Sequence, residues 1–412
     1  METLKLAIVG CGEIFISHWD GYVEQYEKGF RDFEITAFCD LDITRAEEYA
    51  QKYKEVFGKE AAVFKSVDEM LNSTVEFSAV SIQIPHNEHH IESMKCLKAK
   101  KHVVIEKPLA ITLKAARMMM DCAKENGVTL KIMEDYRYAL SERAAAWAVR
   151  SGLIGQPRVL NVMDIALRQW SWDWRDEKYI AGGGWTLDGG IHFVDLWMNI
   201  LGGVKRVTAV SRCYDNIRYK KFIKKKTKAN EKAISKYRKT RSIQFVEREN
   251  LEDPVESNLE DTTSAILEFE NGVLGTWVVS RAATGRLDRT FCLSGSEGSL
   301  LWKDGIYDYN NDLVISWEEL QEEFLQNITK EEEEFLFPHG LRKTMALEQR
   351  EFIDFLFGRR ELEVTAEVGY RDLAVAYAVY ESAELKQSVL VEDVMNLKVA
   401  NYQDDINKVL EI

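Results

Sequence analysis

Residues 4–15 read LKLAIVGCGEIF and decide the fold of the first part of the chain. The apolar run ends in a glycine, which is typical of a buried strand in a parallel sheet. Gly10 permits a tight turn, and Gly12 would let the backbone approach a pyrophosphate at the N-terminus of the following helix. Phe15 stands where the G-x-G-x-x-G pattern has its third glycine. The stretch therefore predicts a strand, a nucleotide-binding turn and a helix.

Strand-like and helix-like segments keep alternating up to residue 137. This alternation predicts an α/β domain over residues 1–137, a Rossmann arrangement with a parallel sheet between two layers of helices. The predicted strands are residues 4–10, 33–39, 77–84, 102–105 and 129–133, and the predicted helices are 14–28, 44–57, 67–72, 88–99 and 113–126.

The pattern changes over residues 138–412, which are predicted to form an α+β domain with a large, mostly antiparallel sheet. Its strand-like runs alternate with a period of two, and Asn271-Gly272 between two of them is a strong hairpin signal. The predicted strands are residues 158–168, 207–213, 262–269, 273–281, 288–294 and 299–302, and the helices are 141–150, 188–201, 341–357 and 365–385.

The composition excludes several classes of protein. A net charge of −14 argues against nucleic-acid binding. No apolar run reaches the roughly 18 residues that a membrane span needs. The six cysteines lack metal-ligand spacing, and the chain enters its first strand without a signal-peptide pattern. We therefore expect a cytoplasmic protein with small buried cysteines, no metal site and no membrane partner.

A basic segment interrupts this acidic chain. Residues 218–241, within a predicted insertion at about 214–245, hold twelve lysines and arginines and one glutamate. The segment could be a solvated helix or flap, or it could bind a phosphorylated or carboxylated substrate. It could also bind the acidic stretch at residues 318–334 of a neighbouring subunit.

The end of the second predicted strand bears on the choice of cofactor. Asp40 lies where an acid accepts hydrogen bonds from an adenosine ribose, although it comes thirty residues after Gly10 instead of about twenty. An insertion at residues 24–32 accounts for the difference. A carboxylate there repels a 2′-phosphate and favours NAD, while Arg45 keeps NADP open as the less favoured cofactor.

Three further segments carry polar side chains. They are Ile84-Pro85-His86-Asn87-Glu88-His89, Glu106-Lys107-Pro108, and the run GGGWTLDGGIHFVD over residues 182–195. The first two end predicted strands, and ligands of open α/β sheets lie beyond the carboxyl ends of the strands. We therefore expect these two segments at the cofactor-binding edge.

Together these residues resemble the Gfo/Idh/MocA family of oxidoreductases, over nearly the whole chain. The likeness is carried by the G-x-G turn with Glu13 and His18, the Asp40–Arg45 region, Pro85 and His89, the Glu-Lys-Pro triplet, Trp174-Arg175, Asp188-x-Gly-x-His192 and Glu260-Asp261-Thr262. The resemblance implies that Lys107, Asp188 and His192 are catalytic and that Glu106 contacts the nicotinamide ribose. The expected cofactor contacts are Gly10, Gly12, Glu13, Ile14, Asp40, Arg45, Ile84, Pro85, His89, Glu106, Trp174 and Arg175. Phe15 and the basic segment depart from the family pattern.

The chemistry of hydride transfer fits these residue types. Oxidation of an alcohol needs a base with a working pKa near 7, which histidine supplies. Four residues apart on one predicted helix, Asp188 and His192 share a face, and Asp195 could orient the imidazole. The positive helix end after Gly182–Gly184 would stabilise the Asp188 anion and disfavour a protonated His192. Lys107 would stabilise the developing alkoxide. Gly189 and Gly190 suggest the close approach of a flat ring, such as a nicotinamide or a sugar.

Four tryptophans crowd the approach to Asp188: Trp170, Trp172, Trp174 and Trp185. Aromatic faces suit a pyranose or cyclitol ring, although some of these side chains could pack the core. We expect Trp172, Trp185, Tyr136, Arg137 and His339 as substrate-binding candidates.

Three functions stay open at this point. The first is oxidation of a hydroxyl on a sugar, glycoside or cyclitol. The second is glycoside cleavage through transient oxidation by NAD and elimination, and the third is a non-catalytic NAD-binding sensor or scaffold. We expect a homo-oligomer, a dimer or tetramer, formed through the C-terminal sheet.

Overall fold

A computed structural model describes residues 3–167, 171, 173–222, 251–283 and 289–412. The chain forms two compact units. The first consists of Met1–Trp147 and Glu319–Leu373, and the second of Ala148–Glu318 and Ala374–Glu411. The predicted Rossmann domain and the predicted α+β C-terminal domain with a large, mostly antiparallel sheet are both confirmed. In the described part of the chain no helix is long and apolar enough to cross a membrane.

A six-stranded parallel sheet forms the centre of the first unit, with strand order β3-β2-β1-β4-β5-β6. Five of its strands were predicted from their apolar runs, but β3 has only three half-buried residues and gives no such signal. The strands are β1 Leu4–Val9, β2 Phe33–Cys39, β3 Ala62–Phe64, β4 Ala79–Ile82, β5 His102–Glu106 and β6 Leu130–Met133, and the helices between them are α1 Phe15–Glu27, α2 Ile43–Phe57, α3 Val67–Leu71, α4 His89–Lys98 and α5 Leu113–Asn126.

The second unit is built on a nine-stranded sheet with order β16-β15-β14-β13-β7-β12-β11-β8-β17, in which β7 and β12 are the parallel pair. Asn271-Gly272 joins β11 to β12 as predicted, and Gly272 has a positive φ of 89°. The elements up to this point are α6 Leu140–Arg150, β7 Val159–Ile165, α7 Lys178–Ala181, α8 Trp185–Asp188, α9 Ile191–Leu201, β8 Val204–Arg212, β9 Ile217–Phe222, β10 Leu251–Glu256, β11 Thr262–Phe269 and β12 Leu274–Ser280.

The sheet ends in strands that carry little sequence signal, since they are only two to four residues long. The remaining elements are β13 Arg289–Ser294, β14 Gly298–Leu301, β15 Gly305–Asp308, β16 Leu313–Ser316, α10 Trp317–Asn327, α11 Lys330–Leu336, α12 Thr344–Leu356, α13 Ala366–Leu385, β17 Val389–Leu390, α14 Val391–Met395 and α15 Asp404–Val409. Strands β9 and β10 pair in a separate two-stranded sheet. Most of the basic segment, residues 223–241, lies outside the described residues.

Residues 319–373 return to the first unit, although the sequence boundary at residue 138 places them in the second domain. Helix α12 packs closely on α1 because Gly21 has no side chain: a Cβ there would lie 2.9 Å from the backbone nitrogen of Ala346. The fully buried Arg350 holds both carboxylate oxygens of Asp32, at 2.8 and 3.0 Å. These contacts attach α12 to helix α1 and to the residue that precedes β2.

Candidate active site

The glycine turn between β1 and α1 has the geometry that its sequence predicts. Gly10 has a φ of +91°, and a Cβ at this position would lie 2.1 Å from the carbonyl oxygen of Gln83. No other residue fits there. Gly12 faces open space, because the nearest atom to a Cβ would be an Arg45 guanidinium nitrogen at 3.7 Å. The turn therefore leaves room for a pyrophosphate next to the N-terminus of α1, where Glu13 and Ile14 are exposed.

Phe15 replaces the third glycine of the motif without disturbing the turn. Its side chain is fully buried and lies edge-on to the ring of Tyr49 at 4.6 Å, with Phe38 at 6.2 Å. In the usual motif this glycine permits close helix–strand packing. Here an aromatic cluster fills the space between α1, β2 and α2.

Asp40 connects the glycine turn to the end of β2. One carboxylate oxygen accepts the N–H of Cys11 at 2.7 Å, and the other accepts the N–H of Asp42 at 2.8 Å. Arg45 is more than half exposed, with its Nε 3.5 Å from Asp42. The carboxylate is thus fixed beside the turn, and an exposed cation lies nearby.

His89 does not lie where a cofactor could contact it. The side chain is fully buried, and its Nδ1 and Nε2 lie 2.8 Å and 3.0 Å from the carbonyl oxygens of Pro108 and Ile84. Burial lowers its pKa to about 4. The neutral ring therefore connects the ends of β4 and β5, and the direct cofactor contact predicted for His89 is wrong. Ile84 and Pro85, which it holds, are partly exposed.

Glu106 ends β5 in a buried hydrogen-bonded chain that the sequence did not predict. Its Oε1 lies 2.7 Å from Nε2 of His18, and its Oε2 accepts the N–H of Lys107 at 3.0 Å. Gln349 donates to the carbonyl oxygen of His18 at 3.0 Å and lies 3.4 Å from its Nδ1. The Nε2–H tautomer of His18 satisfies both ring contacts. The partly buried Lys107 follows directly, before a cis peptide bond to Pro108.

The prediction that Asp188 and His192 lie on one continuous helix is wrong. Helix α8 ends at Asp188 and α9 begins at Ile191. The N–H groups of Gly189 and Gly190 both donate to the carbonyl oxygen of Trp185, which interrupts the regular ladder. Asp188 is 6% exposed, with Nε of Arg175 3.4 Å from its carboxylate, and His192 is partly buried in the first turn of α9.

The N-terminus of α8 is neutralised by Glu260. This buried carboxylate accepts the N–H groups of Gly184 at 2.9 Å and Thr186 at 3.1 Å, and the hydroxyl of Tyr380 at 2.7 Å. Burial raises its pKa, against the opposing effect of these hydrogen bonds. The predicted stabilisation of Asp188 by a free positive helix end is therefore wrong, since Glu260 occupies that end.

The paired glycines accommodate protein rings, not a ligand. A Cβ on Gly189 would lie 2.4 Å from the ring of Trp185, and one on Gly190 would lie 2.6 Å from the ring of Trp277 and 2.2 Å from a backbone oxygen. The approach of a flat ring was predicted correctly. The ring belongs to tryptophans of the chain itself, so the expected approach of a nicotinamide or sugar at these glycines is wrong.

A polar pocket opens beside Asp188 within the second unit. Trp185 lines it, donates to Asp164 at 3.3 Å, and lies under the guanidinium of Arg281 at 4.0 Å from the ring centre. Arg175 also lines the pocket and covers the ring of Trp174 at 4.2 Å. The predicted residues Arg175, Trp185 and Asp188 are thus brought together. Trp172 and Trp170 lie outside the described residues.

The other predicted substrate residues belong to the first unit. Arg137 is buried, 3.5 Å from the carbonyl oxygen of Glu363, and Tyr136 is partly exposed in the same short helical turn. His339 stacks on Phe30 at 4.5 Å and lies 3.2 Å from the carbonyl oxygen of Lys28. That position is at the C-terminal end of α1, the opposite end from the glycine turn. These contacts indicate a structural role for His339.

Two family models match most of the chain. Residues 4–134 match a family model described as oxidoreductase family, NAD-binding Rossmann fold, and residues 147–391 match one described as oxidoreductase family, C-terminal alpha/beta domain. D-glucoside 3-dehydrogenase of Escherichia coli K12 is 28% identical over 93% of this chain and 96% of its own length. Myo-inositol 2-dehydrogenase of Thermotoga maritima is 25% identical over 95% of this chain and 100% of its own.

Among solved structures, a WlbA dehydrogenase of Bordetella pertussis in complex with NADH and UDP-GlcNAcA has the same fold. Its TM-score is 0.67 at 20% identity, over 94% of this chain and 98% of that one.

Proposed function

This chain belongs to the Gfo/Idh/MocA family of oxidoreductases, and on that basis we propose that it oxidises a hydroxyl of a sugar, glycoside or cyclitol. The pocket beside Asp188 carries the proposal, because it combines a carboxylate, guanidinium groups and an indole face in one place. This combination of hydrogen-bonding groups and an apolar ring suits a polyhydroxylated ring. The names of the two enzyme relatives support a substrate of this class.

The residues of the first unit fit a dinucleotide. Gly12 leaves its backbone open, the α1 N-terminus is available to a pyrophosphate, and the carboxylate of Asp40 is held beside them with lone pairs to spare. The nicotinamide supplies a hydride acceptor when it is bound. Glu106 would hold the ribose next to it, with His18 fixing its carboxylate. Ile84 and Pro85 would pack on the same side.

We assign the proton chemistry to three residues. His192 takes the hydroxyl proton on a ring nitrogen, and the first turn of α9 favours the neutral imidazole that a base needs. Asp188 accepts a hydrogen bond from the substrate or from that imidazole, with Arg175 balancing its charge. Lys107 stabilises the oxygen that gains negative charge as the proton leaves.

We propose NAD as the cofactor instead of NADP. The Asp40 carboxylate is fixed by two backbone N–H groups and would repel a 2′-phosphate. Arg45 is exposed and lies next to Asp42. Solvent and the Asp42 carboxylate weaken its attraction for that phosphate.

The first experiment is a panel of sugars, glycosides and inositols, assayed for NADH formation with the products identified by mass. Net NADH with an oxidised product supports the proposal. Glycoside cleavage without net NADH would replace it with the elimination chemistry, and cofactor binding without any turnover would replace it with a sensor.

The second experiment tests the assigned residues on the substrate that the panel identifies. We expect Lys107→Ala and His192→Ala each to lower kcat by at least ~10² while the NADH dissociation constant changes by no more than a few-fold. Lys398→Ala is the control, because Lys398 is 66% exposed and pairs only locally with Asp393. Unchanged kcat in either test variant would refute that residue's assignment.

We also propose a homo-oligomer, a dimer or tetramer, in a reducing cytoplasmic compartment. One face of the nine-stranded sheet carries apolar side chains that are more than half exposed, among them Val210, Ile266 and Leu274 on three adjacent strands. Such a face commonly belongs to an interface. All six cysteines are free thiols, which supports the compartment. Sedimentation velocity would measure the oligomeric state.

A further inference from the structure

A buried carboxylate oxygen in the pocket beside Asp188 has no hydrogen-bond partner. Asp261 lines this pocket and is 4% exposed. Its Oδ2 accepts the N–H groups of Tyr214 at 2.8 Å and Asp215 at 2.7 Å. Its Oδ1 is buried and has no partner among the described residues. Buried acceptors are nearly always hydrogen-bonded, because leaving one unpaired costs free energy. The oxygen therefore needs a donor that the described residues do not supply.

The arginines of the pocket do not satisfy this oxygen. Arg218 is paired with Asp176 and donates to the carbonyl oxygen of Leu259 at 3.2 Å, and Arg281 donates to Asp164 at 2.6 Å. In the described part of the chain Asp261 makes no ion pair. Its backbone is fixed on both sides, since its N–H donates to Arg212 at 3.0 Å and its carbonyl oxygen accepts the N–H of Arg281 at 2.7 Å. The carboxylate is held in place with one oxygen left over.

Glu260, which directly precedes Asp261, has no carboxylate oxygen without a partner. Both oxygens of Glu260 are occupied, by the N–H groups at the start of α8 and by Tyr380. The two consecutive acids therefore differ: Glu260 fixes the helix that carries Asp188, whereas Asp261 lines the pocket and has one carboxylate oxygen without a partner.

The chemistry of the pocket defines what the ligand must be. An ionised carboxylate only accepts hydrogen bonds and a guanidinium only donates, so a group that satisfies both kinds must do both, as a hydroxyl does. The pocket is lined by four acidic residues and three arginines. It offers no excess of positive charge to a phosphate or a second carboxylate. A neutral polyol fits these conditions.

We propose that Oδ1 of Asp261 is a substrate-selecting acceptor, which receives the hydrogen of a hydroxyl other than the one that is oxidised and restricts the pocket to neutral polyhydroxylated substrates. This inference rests on the proposed function and names its substrate class. Asp261 transfers no proton, and its role is to hold the substrate ring in register with Asp188.

The Asp261→Asn variant tests the role with little change of shape. The N–H groups of Tyr214 and Asp215 require the amide oxygen on their side, so the amide nitrogen, a donor, takes the place of the acceptor Oδ1. We expect KM to rise by about 10- to 100-fold with kcat within about threefold, since a charge-assisted hydrogen bond is lost. The NADH dissociation constant and the melting temperature should stay unchanged. Glu268→Gln is the control, because this acid lies on the same strand β11 and is 37% exposed at its side chain.

Substrate analogues test the role without any mutation. Where a hydroxyl faces Asp261, both its deoxy and its fluoro analogue should lose at least tenfold in kcat/KM with the unmodified enzyme, because fluorine cannot donate. In Asp261→Asn the same replacements should cost less than threefold. A substrate hydroxyl that accepts a hydrogen bond from an arginine should behave differently. At that position the fluoro analogue should bind better than the deoxy analogue.

The outcomes separate this inference from the proposed function. If no sugar, glycoside or cyclitol reduces NAD, the proposed function fails and this inference fails with it. If the enzyme turns over a sugar and Asp261→Asn has an unchanged kcat/KM, only this inference is refuted. A higher kcat/KM for a phosphorylated or uronate analogue than for the neutral parent would also overturn it.

Discussion

Removing the carboxylate of Glu260 should destabilise the second unit more than any other single change at the pocket. The carboxylate accepts from Gly184, Thr186 and Tyr380, and a hydrogen bond to a charged group contributes about 1.5–3 kcal/mol. Three such bonds would sum to about 5–9 kcal/mol, but the cost of burying the charge, several kcal/mol, is recovered when it is deleted. We expect Glu260→Ala to lower the free energy of unfolding by about 3–5 kcal/mol at pH 7.

Glu260→Gln should be milder and should show a pH dependence of defined sign. The amide keeps an acceptor for two of the donors and carries no charge to desolvate. Burial raises the pKa of Glu260 in the folded protein above its unfolded value near 4.5. The folded state then binds more protons than the unfolded state between these two values, so the stability from this group is lost as pH rises. The wild type should therefore gain stability relative to Glu260→Gln as pH is lowered from 8 toward 5.

Thermal unfolding followed by circular dichroism measures both effects. At about 2–4 °C per kcal/mol, Glu260→Ala should lower the melting temperature by about 6–20 °C at pH 7. It should also reduce kcat, because α8 carries Asp188. A melting temperature within 2 °C of wild type for Glu260→Ala would refute the assigned hydrogen bonds. A difference between wild type and Glu260→Gln that grows in the opposite direction with pH would refute the raised pKa.

Three further predictions concern the first unit. His18→Ala should weaken NADH binding about tenfold by fluorescence titration, because Glu106 loses its partner at 2.7 Å, and unchanged affinity would contradict the positioning role. Phe15→Gly, which restores the third glycine of the motif, should destabilise the protein by about 3–5 kcal/mol in denaturant unfolding, since the buried ring leaves a cavity; a stability equal to wild type would show that the ring is dispensable. Asp40→Ser should raise the ratio of kcat/KM for NADP over NAD at least about tenfold, by removing a charge that repels the 2′-phosphate, and an unchanged ratio would assign the selectivity elsewhere.

The sequence predicted those elements whose signals are local. Apolar runs between turn residues located β2 and β11 to the residue, and Thr112 with Gly127 delimits α5 by a side-chain cap and a left-handed C-terminal glycine. The hairpin between β11 and β12 was likewise predicted from two adjacent residues, Asn271 and Gly272. Short strands such as β3 and β16 lack a period to detect, and their edges are defined by pairing with distant strands.

The site shows where local reasoning stops. The interval from Asp188 to His192 is correct for one helical turn, yet the helical ladder is interrupted between them, where the ring of Trp277, distant in sequence, lies close to Gly190. The burial of His89 depends likewise on a carbonyl oxygen nineteen residues away. The residue types identified the family, whereas the hydrogen-bond partners depend on tertiary contacts.

The break between α8 and α9 also changes the electrostatic basis of the proposed reaction. A four-residue helix has a small dipole, and Glu260 neutralises its positive end, so the ionised form of Asp188 cannot be stabilised from there. The guanidinium of Arg175, 3.4 Å from Asp188, takes that role. His192 lies instead at the start of the eleven-residue α9, whose dipole disfavours a second positive charge. A change at Arg175 should therefore affect the charge of Asp188.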